Sequence, residues 1–178
     1  MWSDVDRDAL PSLRTVVLTE VETEVETDGE PGGGAVSIDD LLAMEPVPIV
    51  DVDSDHLAVM MFTSGTAGPP KAAMISHGNL LANLAQGASV PERVRAGDVV
   101  YGVLPLFHIF GLNVVLGLSL SVGATVVLVQ RFDPSTAVES IVQRSITVVP
   151  GAPAMWVAFA HFDELPADSF ATVRLALS

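Results

Sequence analysis

The amino-acid sequence predicts an α/β fold in which a mostly parallel sheet is flanked by helices. Short apolar runs rich in β-branched residues alternate along the chain with segments of helical length, and this order is typical of crossover units. Hydrophobic residues make up 49% of the 178 residues and charged residues only 17%, so most of the chain is expected to fold around a packed core. Glycine and proline separate the runs, which supports several short elements.

Charge is distributed unevenly along the chain, whose formal net charge is -14 at pH 7. Residues 1–55 hold 15 acidic side chains and two arginines, whereas the remaining residues hold seven acidic and six basic ones. We therefore predict an acidic, partly flexible segment over 1–47 and a packed domain over 48–178. Nucleic acid and anionic lipid surfaces both require basic side chains, so neither is an expected partner.

Three further absences narrow the class of protein. The chain has no cysteine, which excludes disulfides, thiolate catalysis and cysteine metal sites. Its first residues lack the basic and apolar regions of a signal peptide, so a cytoplasmic location is expected. Residues 99–130 carry no Asp, Glu, Lys or Arg, but Pro105, His108 and Asn113 interrupt the apolar run. We predict a buried helix and strand there and no transmembrane helix.

The acidic segment contains two candidate elements. Residues 14–19 (RTVVLT) predict a strand, and residues 37–44 (SIDDLLAM) predict a short helix with Ser37 as its N-cap. Between them, residues 20–27 alternate acidic side chains with Val or Thr. That pattern fits either a strand with an acidic face or an extended loop, which we favour. The composition of residues 28–34 predicts a flexible turn or linker.

The rest of the chain predicts strands and helices in alternation. Apolar runs predict strands over 57–63, 99–104, 124–129, 146–149 and 173–177. Helical spacing or composition predicts helices over 76–88, 109–121, 134–144 and 153–162. The final strand is expected to present an apolar edge, which favours self-association.

Residues 62–71 (FTSGTAGPPK) carry the most informative chemistry. We expect a buried strand to lead into this loop beyond the carboxyl end of a parallel sheet, where ligands bind in such folds. Glycines let backbone N–H groups approach an anion, and hydroxyls add neutral donors. Lys71 is the only lysine of the chain and adds a compact positive charge. An anion site and an ordinary surface turn fit this composition equally well, and the Walker A pattern is not met.

Residues 62–80 (FTSGTAGPPKAAMISHGNL) closely resemble the phosphate-binding motif of adenylate-forming enzymes, which include acyl-CoA synthetases, luciferases and peptide-synthetase adenylation domains. Ala67 and Ala72 depart from the usual Thr and Gly. The matching positions are Thr63, Ser64, Gly65, Thr66, Gly68, Pro70, Lys71, Ser76, His77 and Asn79.

A second stretch strengthens the resemblance. Residues 104–112 (LPLFHIFGL) are similar to the P-L-F-H-x-x-G-L segment of acyl-CoA and coumarate-type ligases, whose histidine borders the acyl site. Residues 123–128 and 147–156 resemble two later segments of the family, so the likeness covers 48–178. His108 is therefore either an acyl-site residue or a satisfied core histidine, and the two readings weigh about evenly.

The resemblance implies an ATP-dependent fatty-acyl-CoA ligase. In such enzymes a carboxylate reacts with ATP to give acyl-AMP and pyrophosphate, and the acyl group then passes to CoA. Lys71 would be catalytic by neutralising the departing pyrophosphate. Mg²⁺ would accompany ATP, and no residue of this chain is expected to form a metal site. By the same resemblance the phosphates would be held by Thr63, Ser64, Gly65, Thr66 and Gly68.

The resemblance also implies that the chain corresponds to a central part of the family's large N-terminal domain. The family's adenine pocket, Mg²⁺-binding Thr-Glu pair and lid domain have no counterpart among these 178 residues. We therefore expect that the chain does not complete adenylation by itself. A fatty-acyl-AMP ligase, an aryl-acid ligase and a non-catalytic truncated product remain alternatives.

Overall fold

A computed structural model describes residues 16–18, 35–63, 71–163 and 165–178 of the chain. The chain divides after Asp51 into two units, which are described separately. In the first unit, strand β1 (Val16–Leu18) pairs in parallel with strand β2 (Ala35–Ser37), and helix α1 (Ile38–Leu42) follows directly. The predicted strand and helix are confirmed, whereas residues 20–27 and 28–34 lie outside the described residues.

Helix α1 begins as its sequence predicts. The side-chain oxygen of Ser37 accepts a hydrogen bond from the Asp40 N–H at 3.0 Å. Asp39 and Asp40 lie in the first turn, where negative charge is favourable near the helix N-terminus.

The second unit contains six strands and five helical segments among its described residues. Each strand and helix predicted from 57 onward is found, with ends that differ by a few residues, and β4 is an additional strand. In chain order they are β3 (Leu57–Thr63), β4 (Lys71–Ser76), α2 (His77–Ser89), β5 (Val99–Gly102), a π-helix (Phe110–Leu118), α3 (Ser119–Val122), β6 (Thr125–Leu128), α4 (Pro134–Gln143), β7 (Val148–Pro150), α5 (Pro153–Ala160) and β8 (Leu175–Leu177).

Four of these strands form a parallel sheet in the order β6-β5-β7-β8, which confirms the predicted fold class. Successive side chains of β5 point to opposite faces. Tyr101 packs in a core with α4 and α5, whereas Val100 packs in a second core that includes Val115 and Leu118 of the π-helix. Helices therefore cover both faces of the sheet.

The apolar helix predicted over 109–121 is present, but its first nine residues form a π-helix. The start of this helix lies close to the preceding chain. A Cβ on Gly111 would lie 2.1 Å from the Pro105 carbonyl oxygen. Gly123, with a φ of 77°, ends α3 in the left-handed conformation. Among the described residues, no helix has the length and apolar character needed to cross a membrane.

Strands β3 and β4 form a separate antiparallel hairpin, in which Met60 lies opposite Met74 and Phe62 opposite Ala72. Met60, Phe62 and Met74 are 57%, 79% and 72% exposed. The prediction that a buried strand of the parallel sheet leads into residues 64–70 is therefore wrong. An apolar run predicts extended structure, but it does not reveal whether a strand has neighbours on both faces.

The amino ends of three parallel strands meet at one buried carboxylate. Asp98, which precedes β5 and is 5% exposed, accepts hydrogen bonds from the Arg95 N–H at 2.6 Å and the Thr147 hydroxyl at 2.9 Å. Arg174, just before β8, donates to both carboxylate oxygens, with its Nε at 2.8 Å. Its guanidinium also donates to the Arg93 carbonyl oxygen at 2.8 Å.

This network changes the acidity of Asp98. Burial alone raises its pKa, but the hydrogen bonds from Arg174, Arg95 and Thr147 and the charge of Arg174 outweigh burial and lower the pKa below its ordinary value. The ionised form of the Asp98 carboxyl group is therefore more stable in the folded chain than in the unfolded chain. Its contribution to stability is present above the pKa of the unfolded chain and is lost as pH falls through the lower, folded value.

We predict that Asp98→Asn lowers the free energy of unfolding by roughly 2–4 kcal/mol at pH 7, because it removes the charge that Arg174 pairs with. The difference between wild type and variant should shrink as pH falls below about 4, where the unfolded wild-type aspartate becomes protonated. Urea unfolding across pH measures both effects. Asp163→Asn, at an exposed carboxylate, is the control. A difference that is constant with pH would contradict the assignment.

Candidate functional site

The hairpin β3–β4 brings together the two ends of the hydroxyl- and glycine-rich segment. Thr63 and Lys71 are its last paired residues, and the Thr63 hydroxyl donates to the Lys71 carbonyl oxygen at 3.2 Å. Both residues are exposed. The other predicted phosphate-binding residues, Ser64, Gly65, Thr66 and Gly68, lie outside the described residues. The structure therefore places only the two ends of the predicted phosphate loop.

The residues after Lys71 fix the hairpin to helix α2. Ser76 Oγ accepts from the Asn79 N–H at 3.2 Å, and Asn79 Oδ1 accepts from the Ser76 N–H at 3.1 Å. This reciprocal capping box accounts for both residues in structural terms. The N–H groups of His77 and Gly78 donate to the carbonyl oxygens of His56 and Ser54, at 3.1 and 2.7 Å. His77 is thus the first residue of α2.

A cleft of about 380 Å³ lies at the carboxyl ends of β5, β7 and β8. We call it the His108 cleft. Strands in a parallel sheet end at the same edge, so the residues that follow them form a shared depression. Its walls are mostly apolar. It is lined by Leu104, Pro105, Phe107, His108, Phe110, Gly151, Ala152, Pro153 and Ser178.

His108 is held by the turn that precedes the π-helix. Its N–H donates to the Pro105 carbonyl oxygen at 3.0 Å, and its ring Nδ1 accepts from the Phe110 N–H at 3.2 Å. With Nδ1 as an acceptor, the neutral ring carries its proton on Nε2, which is then a donor. The side chain is exposed, so His108 is not a buried core histidine. Its role at an acyl site stays a prediction.

A second cleft, of about 440 Å³, lies between α2 and the π-helix. We call it the Asn cleft, because three of its residues are asparagines. Asn113 is 5% exposed, and its Nδ2 donates to Asn83 Oδ1 at 2.8 Å and to the Leu80 carbonyl oxygen at 3.4 Å. The cleft is lined by Ile75, Asn79, Leu80, Asn83, Ile109, Phe110, Asn113 and Val114.

Sequence reasoning missed the Asn83–Asn113 pair and the Asp98–Arg174 pair. Each joins residues that are far apart in sequence, 30 and 76 positions respectively, and no local pattern connects them. The one sequence signal was the absence of charged residues around Asn113, which indicates that this segment is buried. A buried amide needs a hydrogen-bond partner. Across the described ranges, no three His, Cys, Asp or Glu side chains are grouped so that they could hold a metal ion.

Comparison with known proteins places these features in a family. The sequence matches the family described as AMP-binding enzyme over residues 3–178. A long-chain-fatty-acid–CoA ligase of Bacillus subtilis (strain 168) is 34% identical over an alignment of 136 positions, which covers 75% of this chain and 24% of that protein. The 4-coumarate–CoA ligase 3 of Oryza sativa subsp. japonica is 31% identical over an alignment of 192 positions, which covers 98% of this chain and 35% of that protein.

The fold has a counterpart among solved structures. The crystal structure of ATP-bound MatB from Rhodopseudomonas palustris matches 82% of this chain and 30% of its own, with a TM-score of 0.73 and 25% identity. The chain thus spans 24% to 35% of the length of the relatives described above.

We predict that Gly111→Ala destabilises the fold and distorts the His108 cleft, because its new Cβ would overlap the Pro105 carbonyl oxygen. The free energy of unfolding should fall by roughly 2 kcal/mol or more, as overpacking against backbone does. Urea unfolding measures this change. Gly97→Ala is a matched control, since a Cβ there meets no atom within 4 Å. Equal stability of the two variants would contradict the close approach.

Proposed function

This chain belongs to the AMP-binding enzyme family, and from that membership we propose that it supplies part of an ATP-dependent acid–thiol ligase, an acyl-CoA synthetase. The proposed reaction joins a carboxylate to AMP with release of pyrophosphate, and then transfers the acyl group to the thiol of CoA. Because the chain spans about a quarter to a third of its relatives, ligand binding is the property to test in it, rather than full turnover.

The observation that carries this proposal is the His108 cleft at the carboxyl ends of β5, β7 and β8. Ligands of parallel α/β sheets bind at that edge. Apolar walls suit the hydrocarbon part of an acid, and an Nε2 donor on His108 suits an oxygen of its carboxylate or of the adenylate. The sequence segment that contains His108 is also the one that resembles CoA ligases.

Lys71 is the proposed catalytic residue. Lys71 is exposed at the end of the hairpin and forms no ion pair with the residues that the structure describes, which suits a role in neutralising the pyrophosphate as negative charge moves onto it. The backbone N–H groups and hydroxyls of Thr63, Ser64, Gly65, Thr66 and Gly68 are proposed to hold the phosphates. For all of these this role is supported by sequence resemblance, and Thr63 in addition lies exposed at the end of the hairpin.

The described residues fit the proposed cofactors to different degrees. An exposed lysine beside a hydroxyl-rich segment fits the phosphates of ATP. No described residue is proposed as an Mg²⁺ ligand, since the described parts of the chain hold no group of three His, Cys, Asp or Glu side chains that could bind a metal ion. We propose that Mg²⁺ arrives with ATP and that CoA is the acyl acceptor, both by analogy with the family. A cytoplasmic location is likewise a proposal.

The acid is proposed to be a fatty acid, because the His108 cleft is largely apolar and one relative is named a long-chain-fatty-acid–CoA ligase. An aryl acid is the second candidate. It is favoured by the 4-coumarate–CoA ligase relative and by the asparagines of the second cleft. Acyl transfer to a carrier protein in place of CoA, as in a fatty-acyl-AMP ligase, stays open as an alternative.

We predict that Lys71→Ala weakens ATP binding by about 10- to 100-fold, because a charge-assisted contact to phosphate is lost. Titration calorimetry with the 178-residue chain measures the dissociation constant. Arg144→Ala, which removes an exposed cation at the end of α4, should leave ATP affinity within about twofold. Equal weakening by both changes would show a general charge effect, and no ATP binding by the wild type would refute the proposed function.

Self-association through the edge strand β8 is a further proposal. The N–H of Leu175 and the carbonyl oxygen of Leu177 bond toward β7, so the N–H of Ala176 points to the open edge. We predict that light scattering at high concentration gives a mass above 18.6 kDa, and that Ala176→Pro, which removes this outward donor, restores the monomer. Ala176→Ser keeps the N–H and is the control. A monodisperse wild-type monomer would rule out the proposal.

A further inference from the structure

We propose that Trp156 is a positioning residue for the His108 cleft, because its indole group holds the turn between β7 and α5 in the arrangement that binds the acid. This turn consists of residues 151–153 and is called the β7–α5 turn. The inference rests on the proposed function, since it adds a residue to the same site. It follows from the hydrogen bond of the indole, from the close approach of Gly151 to the ring and from the place of the turn in the cleft wall.

The β7–α5 turn supplies three consecutive residues of the cleft lining, Gly151, Ala152 and Pro153. No side chain caps α5 at this point, since Ala152 occupies the N-cap position and has no hydrogen-bonding group in its side chain. On the sheet side, the Gly151 N–H donates to the Leu177 carbonyl oxygen at 2.9 Å. The peptide group that follows Gly151 therefore depends on a different partner.

Trp156 supplies that partner. Its indole Nε1–H donates to the Gly151 carbonyl oxygen at 3.3 Å. Gly151 is buried, and a buried carbonyl group that loses its partner destabilises the structure around it. On the same helix, Met155 and Phe159 are buried in the core, whereas Trp156 is only partly buried and packs against that core. The indole thus joins the core of the domain to the β7–α5 turn.

The indole fits against Gly151 because that residue has no side chain. A Cβ at position 151 would lie 3.0 Å from the ring carbons Cε2 and Cζ2 and 3.2 Å from Nε1. Backbone freedom is not the reason for this glycine, since Gly123 is the one glycine with a positive φ in the described parts of the chain. Gly151 and Trp156 are therefore matched in size, and the ring limits the movement of the turn.

Trp156→Phe would remove the indole N–H and keep an aromatic ring near Phe159, whose centroid lies 6.0 Å from that of Trp156. Without the indole donor, the Gly151 carbonyl oxygen regains a partner only by turning toward water, which the adjoining cleft supplies. A hydrated carbonyl group in an apolar wall disfavours the hydrocarbon part of an acid. The variant should therefore bind the acid less tightly.

The test compares the binding of acids with the binding of ATP. Titration calorimetry of the 178-residue chain gives dissociation constants for ATP and for decanoate and cinnamate, which represent the two proposed classes of acid. We expect Trp156→Phe to weaken binding of whichever acid the wild type binds by about fivefold, the effect of one lost hydrogen bond. ATP binding should stay within about twofold, because Thr63 and Lys71 lie on the hairpin.

Phe170→Leu is the matched control for a merely structural effect. Phe170 packs edge-on against Phe159, with ring centroids 5.2 Å apart, and is not part of the cleft lining. Both variants should lower the midpoint of thermal unfolding, since each removes aromatic packing. Only Trp156→Phe should weaken acid binding, whereas Phe170→Leu should keep the acid dissociation constant within about twofold.

A further variant tests the route through Gly151. Gly151→Ala should also weaken acid binding, because its Cβ would push the turn away from the indole. In the Trp156→Phe background the same change should have little further effect, since the ring atoms that the Cβ meets are absent. Such non-additivity is expected of two residues that act through one contact.

The outcomes separate this inference from the proposed function. An unchanged acid affinity in Trp156→Phe, equal weakening by Phe170→Leu, or the same effect of Gly151→Ala in both backgrounds would overturn the role of Trp156 while acid binding stands. ATP binding without binding of either acid would also overturn it. Binding of neither ATP nor acid would refute the proposed function, and this inference with it. Selective, non-additive loss of acid binding would support both.

Discussion

The carboxylate of Asp98 is the interaction on which the arrangement of the parallel sheet depends. It receives hydrogen bonds from residues that precede β5 and β8 and from Thr147, which precedes β7. Thr147 also accepts from the Val99 N–H at 3.0 Å, so side chain and backbone are joined at the same point. These bonds hold together the amino ends of β5, β7 and β8, and the carboxyl ends lie at the opposite edge of the sheet. The His108 cleft lies at that opposite edge.

The two described ends of the predicted phosphate loop lie on an antiparallel hairpin and not on the parallel sheet. Thr63 and Lys71 close an antiparallel hairpin, and the capping box of Ser76 and Asn79 turns the chain at once into α2. Helix α2 then packs against the π-helix through Asn83 and Asn113. Hairpin, α2 and π-helix thus form a continuous path from the two ends of the predicted phosphate loop to the two clefts. In the proposed ligase this path would connect phosphate binding to acid recognition.

Local features were predictable where local physics governs them. The helix cap at Ser37 and the alternation of strands with helices follow from hydrogen-bonding capacity and apolar periodicity over a few residues. The burial of β3 was predicted wrongly, since an apolar run such as 57–63 does not show how many strands or helices cover it. The π-helical turns of Phe110–Leu118 were likewise missed, because their wider hydrogen bonding depends on how that segment packs against Pro105 and α2.

For this protein, residue order alone is enough to indicate an α/β fold, to identify the segment from Thr63 to Lys71 and to point to His108, because each signal lies within about ten consecutive residues. Packing alone decided that Asp98 pairs with Arg174, that Asn83 meets Asn113 and that Phe110 separates two clefts. These contacts join residues whose types are individually ordinary. These residues acquire a structural role only in the folded chain, where burial removes water and leaves each polar group with a specific partner.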